Sequence, residues 1–234
     1  MFVSMRGTMR GAAAGRRPRR GHSGARMAAL LGVLAGPAPA VEAQFGDPIL
    51  LNEVLADPAR DWNQDGTVNS RDDEWVEIVN TGAATVNLEG YRIASADTVW
   101  RYEFSGLLFP GETRVVYGRE SYLWELANGF PQFGLRLSNT GGAITLWNVS
   151  AGDSVLVDTM SYADHEAEDD RSSGRVPDGG VEWRLFDGLN PYTGSRLPTG
   201  TGCLPSPGTL FQCPVPVRKG TWGGIKSRFR SSLL

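Results

Sequence analysis

The chain has 234 residues, with 23 Lys and Arg against 26 Asp and Glu, for a formal net charge of −3. A hydrophobic fraction of 41% is enough for a packed core and excludes a wholly disordered chain. Val, Thr, Trp, Tyr and Phe recur in short runs, and no long stretch repeats apolar residues at helical spacing, which points to an all-β domain.

The first segment reads as an export signal. Arg6, Arg10, Arg16, Arg17, Arg19, Arg20 and Arg26 form a basic stretch, followed by the apolar Met27 to Ala40 and the small-residue pattern Val41-Glu42-Ala43. Cleavage is expected after Ala43, making residues 1–43 a signal peptide, with Met27 or another internal Met as an alternative start. The other reading is a basic tail with a buried apolar strand behind it. The apolar stretch is shorter than the roughly 20 residues that a membrane span needs, so no transmembrane segment is expected in the mature form. Residues 1–43 hold seven Arg and one Glu, which leaves 16 basic against 25 acidic residues, a net charge of −9. Residues 44–214 alone carry 11 Arg against 25 acids, a net of −14. Such a body repels phosphate backbones, so nucleic acid is not an expected partner.

Strand signals then follow one another. Pro48 to Ala56 and Glu74 to Asn80 are apolar runs, the second ended by the turn signal Asn80-Thr81-Gly82. Further strands are predicted at Val86 to Ile93, Val99 to Phe104, Thr113 to Tyr117, Ala143 to Asn148, Val155 to Tyr162 and Glu182 to Phe186. Turns are expected at Phe109 to Glu112 and Asn139 to Gly142, and a short helix at Glu120 to Asn128. Seven or eight short strands separated by turns suggest a β-sandwich over residues 44–186.

Between the first two strands lies D-W-N-Q-D-G-T-V-N-S-R-D, Asp61 to Asp72. Calcium is a hard cation that takes six to eight oxygens, and a twelve-residue loop supplies them from positions 1, 3, 5, 7, 9 and 12 with Gly at 6. Those positions hold Asp61, Asn63, Asp65, Thr67, Asn69 and Asp72, with Gly66 at the bend and Val68 as the expected apolar anchor. Asp72 is shorter than the Glu usual at position 12, so Asp73 or Glu74 is a candidate helper. One Ca2+ is the expected ligand. The competing reading is an acidic surface loop whose Asn, Asp and Gly favour turns.

Other chemistry is sparse. His165 is the only histidine after residue 43 and sits in Tyr162-Ala163-Asp164-His165-Glu166, where it is expected to be exposed in an acidic stretch. That stretch, with Asp164, Glu166, Glu168, Asp169 and Asp170, offers a second calcium site as an alternative, although it lacks the spacing and the Gly of a known loop. Glu53 and Glu77 fall on neighbouring strands where they can face each other, but nothing marks them as a catalytic pair. Trp100, Trp124 and Trp147 suit core packing by default, with stacking on sugars as the alternative.

The segment 187–216 is rich in Gly, Pro, Ser and Thr and reads as a closing loop. Cys203 and Cys213 are the only cysteines, and in an exported protein they are expected to be joined, a free thiol pair being the alternative. Residues 217–234 form a basic tail that suits either a surface address or a disordered end.

Two resemblances follow. The loop is similar to those of EF-hand proteins and, more closely, of dockerins, although a dockerin carries two loops each followed by a helix. Here a single copy precedes the strand-like E-W-V-E-I-V-N, so cohesin binding is not implied. The surrounding sequence resembles the lamin-tail domain, in the type found in secreted bacterial proteins. The matching segments are Ile49 to Pro58, Asp73 to Gly82, Val86 to Ile93, Leu108 to Glu112, Leu137 to Leu146 and Val157 to Tyr162, with Arg175 to Gly179 and Pro205 to Gly208 beyond. This resemblance implies an immunoglobulin-like β-sandwich and a binding or structural module, not an enzyme. The expected function is a secreted or cell-surface calcium-binding module whose partner is an extracellular protein or glycan. The alternative is a secreted hydrolase, or an accessory to one, that uses carboxylates.

Overall fold

The computed structural model describes residues 46–149, 152–211 and 213. The expected signal segment 1–43 and the basic tail from 217 lie outside the described residues. Eleven strands run in chain order: β1 (Ile49–Leu55), β2 (Trp75–Asn80), β3 (Val86–Asn87), β4 (Tyr91–Ser95), β5 (Trp100–Glu103), β6 (Leu107–Leu108) and β7 (Thr113–Tyr117), then β8 (Gly141–Asn148), β9 (Val155–Ala163), β10 (Ser172–Val176) and β11 (Glu182–Phe186). Among the described residues one α-helix, α1 (Gly118–Asn128), follows β7, and a single 3-10 turn spans Asp164–Glu166. A five-stranded sheet has the order β11-β10-β1-β2-β7, a four-stranded sheet the order β5-β4-β8-β9, and β3 pairs with β6. The fold is the all-β sandwich expected from the strand runs and turns, of the immunoglobulin-like kind that the resemblance implies.

Pleating sends alternate side chains to opposite faces. Ile49, Leu51 and Val54 of β1 and Val76 and Ile78 of β2 point inward, where they meet Ile93, Ile144, Leu146, Met160 and Tyr162 of the four-stranded sheet. Each fully buried aliphatic side chain contributes about 1.5–3 kcal/mol relative to exposure. The β1–β2 register shifts between Leu51 and Glu53, so Asn52 is an extra, bulged residue. Its amide nitrogen donates to Glu77 Oε1 at 2.7 Å and to Asp178 Oδ1 at 2.9 Å. At the same bulge the two sheets are clasped. Arg175 of β10 donates to the Leu51 carbonyl at 2.7 Å and to Asp158 of β9, and Asp158 Oδ2 accepts the Leu51 N–H at 2.9 Å.

Several boundaries differ from the sequence reading. The stretch Val86 to Ile93 divides into β3 and β4, because Gly90 takes a left-handed φ of +88° and turns the chain. The helix begins two residues early, at Gly118, and the Glu120 carboxylate accepts the Tyr117 N–H at 3.0 Å across its first turn. β6 and β10 were not foreseen. β10 reads Ser-Ser-Gly-Arg-Val, a poor strand former by composition, and is held in place by pairing with β1 on one side and β11 on the other.

The outer face of the five-stranded sheet is covered by its own chain. Glu53, Leu55, Trp75 and Glu77 point away from the inter-sheet core and are nevertheless buried. Residues 187–211 return over Glu53 and Glu77, anchored by a bridge from Leu185 to Gly200 and by the Cys203–Cys213 disulfide, while Trp62 leans on Trp75. The Asp187 carboxylate accepts the N–H groups of Tyr192, Thr201 and Gly202 at 2.8, 2.9 and 2.7 Å. His165, expected to be exposed, is only 5% exposed, because the returning segment lays Tyr192 on its ring at 4.8 Å and brings the Pro198 carbonyl to 3.2 Å from Nε2.

Candidate functional site

The loop Asp61–Asp72 is fastened at both ends before any ligand is considered. At its start Asp170 accepts the Ala59 N–H at 3.0 Å, the Trp62 indole N–H at 2.8 Å and the Arg60 Nε–H at 3.0 Å, while its own N–H donates to the Asp57 carbonyl at 2.8 Å. The Trp62 ring leans on buried Trp75 with 6.1 Å between centroids. At its end Asp73, fully buried, accepts the Asn63 N–H at 3.0 Å and the Asn69 N–H at 2.7 Å, drawing the two halves of the loop together. Gly118, the first residue of α1, lies so close that a Cβ there would stand 1.8 Å from the Arg71 carbonyl, which only glycine permits.

Within the loop the first three expected ligands gather. The Asp65 N–H donates to Asp61 Oδ1 at 3.0 Å and to Asn63 Oδ1 at 2.9 Å. Asp61 Oδ2 takes the Gly66 N–H at 2.9 Å, and Asp65 Oδ1 takes the Thr67 N–H at 2.9 Å. Gly66 bends the chain at φ +91°. The result is two carboxylates and one amide oxygen wrapped around a single turn of backbone, a hard-oxygen set with formal charge −2.

The other half of the loop is arranged differently. Asn69 Oδ1 accepts the N–H groups of Arg71 and Asp72 at 3.0 and 3.2 Å. Asp72 does not face Asp61: its Oδ1 is held by the Arg71 guanidinium at 2.6 Å, and Arg119 lies 3.9 Å from Oδ2. Val68 is 56% exposed and anchors nothing, so the role expected of it falls to Asp73 and Asp170. Among the described residues no group of three or more His, Cys, Asp or Glu side chains gathers as a metal site, in keeping with only two carboxylates in the Asp61–Asn63–Asp65 cluster.

The remaining acids of the second stretch disperse. Asp164 pairs with Arg196, Glu168 with Arg171 and Asp170 with Arg60, while Glu166 accepts the Ser173 hydroxyl at 2.7 Å. Asp57, beside them, has its carboxyl pushed above the usual range by burial and by the Asp169 charge. Asp73 was a candidate helper from sequence, but Asp170 carried no signal, since it lies far from the loop in the chain and its spacing matches no motif.

The pair considered for hydrolysis is enclosed. Glu53 and Glu77 are register partners across β1 and β2, 1% and 0% exposed. Ser172 Oγ donates to Glu53 at 2.5 Å and Ser206 Oγ at 2.8 Å, while Gly208 N–H donates to Glu77 at 2.7 Å. Both carboxylates lie under their own chain, out of reach of a polysaccharide.

The fold and the loop together define an immunoglobulin-like β-sandwich that carries an oxygen-rich turn between its first two strands. The family model of the lamin tail domain matches residues 43–164, just over half of the chain, and the protein belongs to this family. The family is an immunoglobulin-like domain and generally non-enzymatic. No curated protein and no solved structure matches the chain. The matched span ends before β10, so β10, β11 and the returning segment extend beyond it. Among the described residues no helix is long and apolar enough to cross a membrane.

Proposed function

We propose that this protein is a non-catalytic module, secreted or held at the cell surface, whose first long loop binds one Ca2+ and stiffens a surface used for adhesion, ligand binding or scaffold assembly. The observation that carries this reading is the gathering of Asp61, Asn63 and Asp65 about the Asp65 amide in a loop already fastened at Asp73 and Asp170. A loop ordered in advance loses little conformational freedom when the ion arrives. Thr67 and Asn69 would add oxygens, and Asp72 would close the shell by leaving Arg71. Export rests on the basic and apolar order of residues 1–43 and on the small residues before Gln44.

Extracellular modules bind calcium at about 10⁻⁴ to 10⁻³ M, which makes the ion a stabiliser present throughout and not a signal. Titration calorimetry of the purified protein with calcium chloride tests the reading. Binding heat that disappears in Asp61→Ala and Asp65→Ala is expected; absence of heat in the unmodified protein overturns it.

A further inference from the structure

The outer face of the four-stranded sheet is lined unlike that of its partner. Among the described residues no returning segment covers it, and it carries Trp100 of β5 and Trp147 of β8, neither of which belongs to the inter-sheet core. Both are half-buried, on either side of β4, where Ala94 is small enough for the indoles to meet across it at 6.1 Å between centroids. Their planes stand at 82°. The Trp147 indole N–H donates to Thr145 Oγ1 at 2.9 Å, two residues back along the same strand and on the same face. The tether draws the Trp147 ring along the strand toward Thr145, and the Trp100 ring stands nearly perpendicular to it as a wall. Core packing, the default expected for these residues, is therefore not what they do.

The polar groups at this corner are balanced in charge. Arg92, opposite Trp147 in register, is paired with Glu103 at 2.7 Å and lies over the Trp100 ring at 5.8 Å. Glu103 is fixed in turn by the Gly90 N–H at 3.2 Å. One cation and one anion held side by side give a surface that is locally neutral and rich in directed donors and acceptors.

We infer that this corner binds a neutral polysaccharide, one pyranose ring stacking its C–H face on Trp147 against the Trp100 wall while the Arg92–Glu103 pair engages adjacent hydroxyls. A flat indole in contact with water is matched by the apolar face of a sugar, which keeps its hydroxyls at the ring edge, where paired donors and acceptors can meet them. The charge of the surroundings selects against acidic polymers, because residues 44–214 carry a net of −14 and Arg92 is already neutralised. This inference rests on the reading of the protein as a ligand-binding module and is independent of the calcium loop.

Affinity electrophoresis of the full chain through native gels containing xylan, galactomannan, laminarin or soluble starch, each with calcium and with chelator, tests it, with dextran sulfate as the anionic comparison. Retardation by at least one neutral polysaccharide is expected, weakened tenfold or more by Trp147→Ala, several-fold by Trp100→Ala, and unaltered by Trp124→Ala, which lies on α1. Thr145→Val keeps the ring but removes its tether, and a loss of affinity there carries the test if Trp147→Ala fails to melt cooperatively. Migration unaltered in all four neutral gels, retardation undiminished by both tryptophan variants, or retardation by dextran sulfate alone overturns the inference. Calcium heat without retardation sinks this inference alone, and Trp147-dependent retardation without calcium heat sinks the calcium reading alone.

Discussion

Glu53 and Glu77 stand directly opposite each other across β1 and β2, both buried, and each takes a backbone N–H from the same returning segment, Ser206 to Glu53 at 3.1 Å and Gly208 to Glu77 at 2.7 Å. Burial pushes the Glu53 carboxyl up to about 8, opposed by the Ser172 hydroxyl and reinforced by the charge of Glu77. Burial likewise pushes Glu77 up to about 7, against the donors on Asn52, Gly208 and Thr113. The two acids are thus a latch for the C-terminal segment that favours the protonated state.

The pH dependence follows from the direction of these shifts. An acid whose folded pKa lies above its unfolded value of 4.5 contributes its full stability below that value and loses it as pH rises through the folded pKa. Stability is therefore expected to fall between about pH 4.5 and 8, by up to about 1.4 kcal/mol per pH unit for each group. Glu53→Gln mimics the protonated form: with its nitrogen in place of Oε2 the Ser206 hydroxyl turns to accept, while the remaining oxygen keeps the Ser172 hydroxyl and the Ser206 N–H as donors. This variant should melt higher than the parent at pH 8.5 and show a flatter melting temperature across the range. An unchanged slope in Glu53→Gln would remove Glu53 from the account.

The disulfide makes a second contribution to the same latch. Cys203 and Cys213 close a loop of sequence separation 10, for which chain entropy gives about 2–3 kcal/mol. Reduction, or the double replacement Cys203→Ser and Cys213→Ser, should lower the melting temperature by several degrees. Hydrogen exchange should then rise first at Ser206 and Gly208, while β8 and β9 stay protected. Uniform loss of protection across both sheets would mean that the segment is not a separate unit.

How far the sequence reaches depends on where the determining contacts lie. Glu74-Trp75-Val76-Glu77-Ile78-Val79-Asn80 was legible as a strand because its β-branched and aromatic residues and its closing Asn-Thr-Gly turn are local signals. Ser172 to Val176 was not, because its place is set by partners more than a hundred residues away on β1, and because Gly174 is there to clear the Phe186 ring, which a Cβ would meet at 2.7 Å. The spacing of Asp61, Asn63 and Asp65 placed three donors together, since a tight turn is a local structure. Asp72 was beyond that logic: its direction is decided by Arg71 and by Arg119 on the docked helix. His165 was misread for the same reason, its cover coming from Tyr192 and Pro198, which no local pattern announces.

The buried pair Arg101–Glu125 gives a third prediction. Arg101 is 1% and Glu125 0% exposed, with 2.8 Å between Nη1 and Oε1, and Glu125 also accepts the N–H groups of Phe133 at 2.6 Å and Gly134 at 2.8 Å. Glu125→Ala leaves a buried guanidinium and two amides without this acceptor, a change that costs about 3–5 kcal/mol. Denaturant unfolding should register that loss with an unchanged m-value. A loss below about 1 kcal/mol would mean that water enters freely beside α1.

The position of Asp72 supplies the last prediction, because it separates the ion's reading from that of a plain acidic turn. If Asp72 is to serve as the twelfth-position ligand, calcium must compete with the Arg71 guanidinium that holds it at 2.6 Å. Partly exposed ion pairs of this kind are worth up to about 1 kcal/mol. Arg71→Ala should therefore tighten calcium binding about fivefold, and the gain should vanish when Asp72→Asn is added. The backbone carbonyl of Arg71, which packs against Gly118, is untouched by the change, so the loop keeps its seat. A simple long-range charge effect would survive the loss of Asp72, because it depends only on removing a positive charge near Asp61 and Asp65. Calorimetry on the four proteins of this double-mutant cycle reads the coupling directly. Additive effects would exclude Asp72 from the shell and leave the ion to Asp61, Asn63, Asp65 and the backbone.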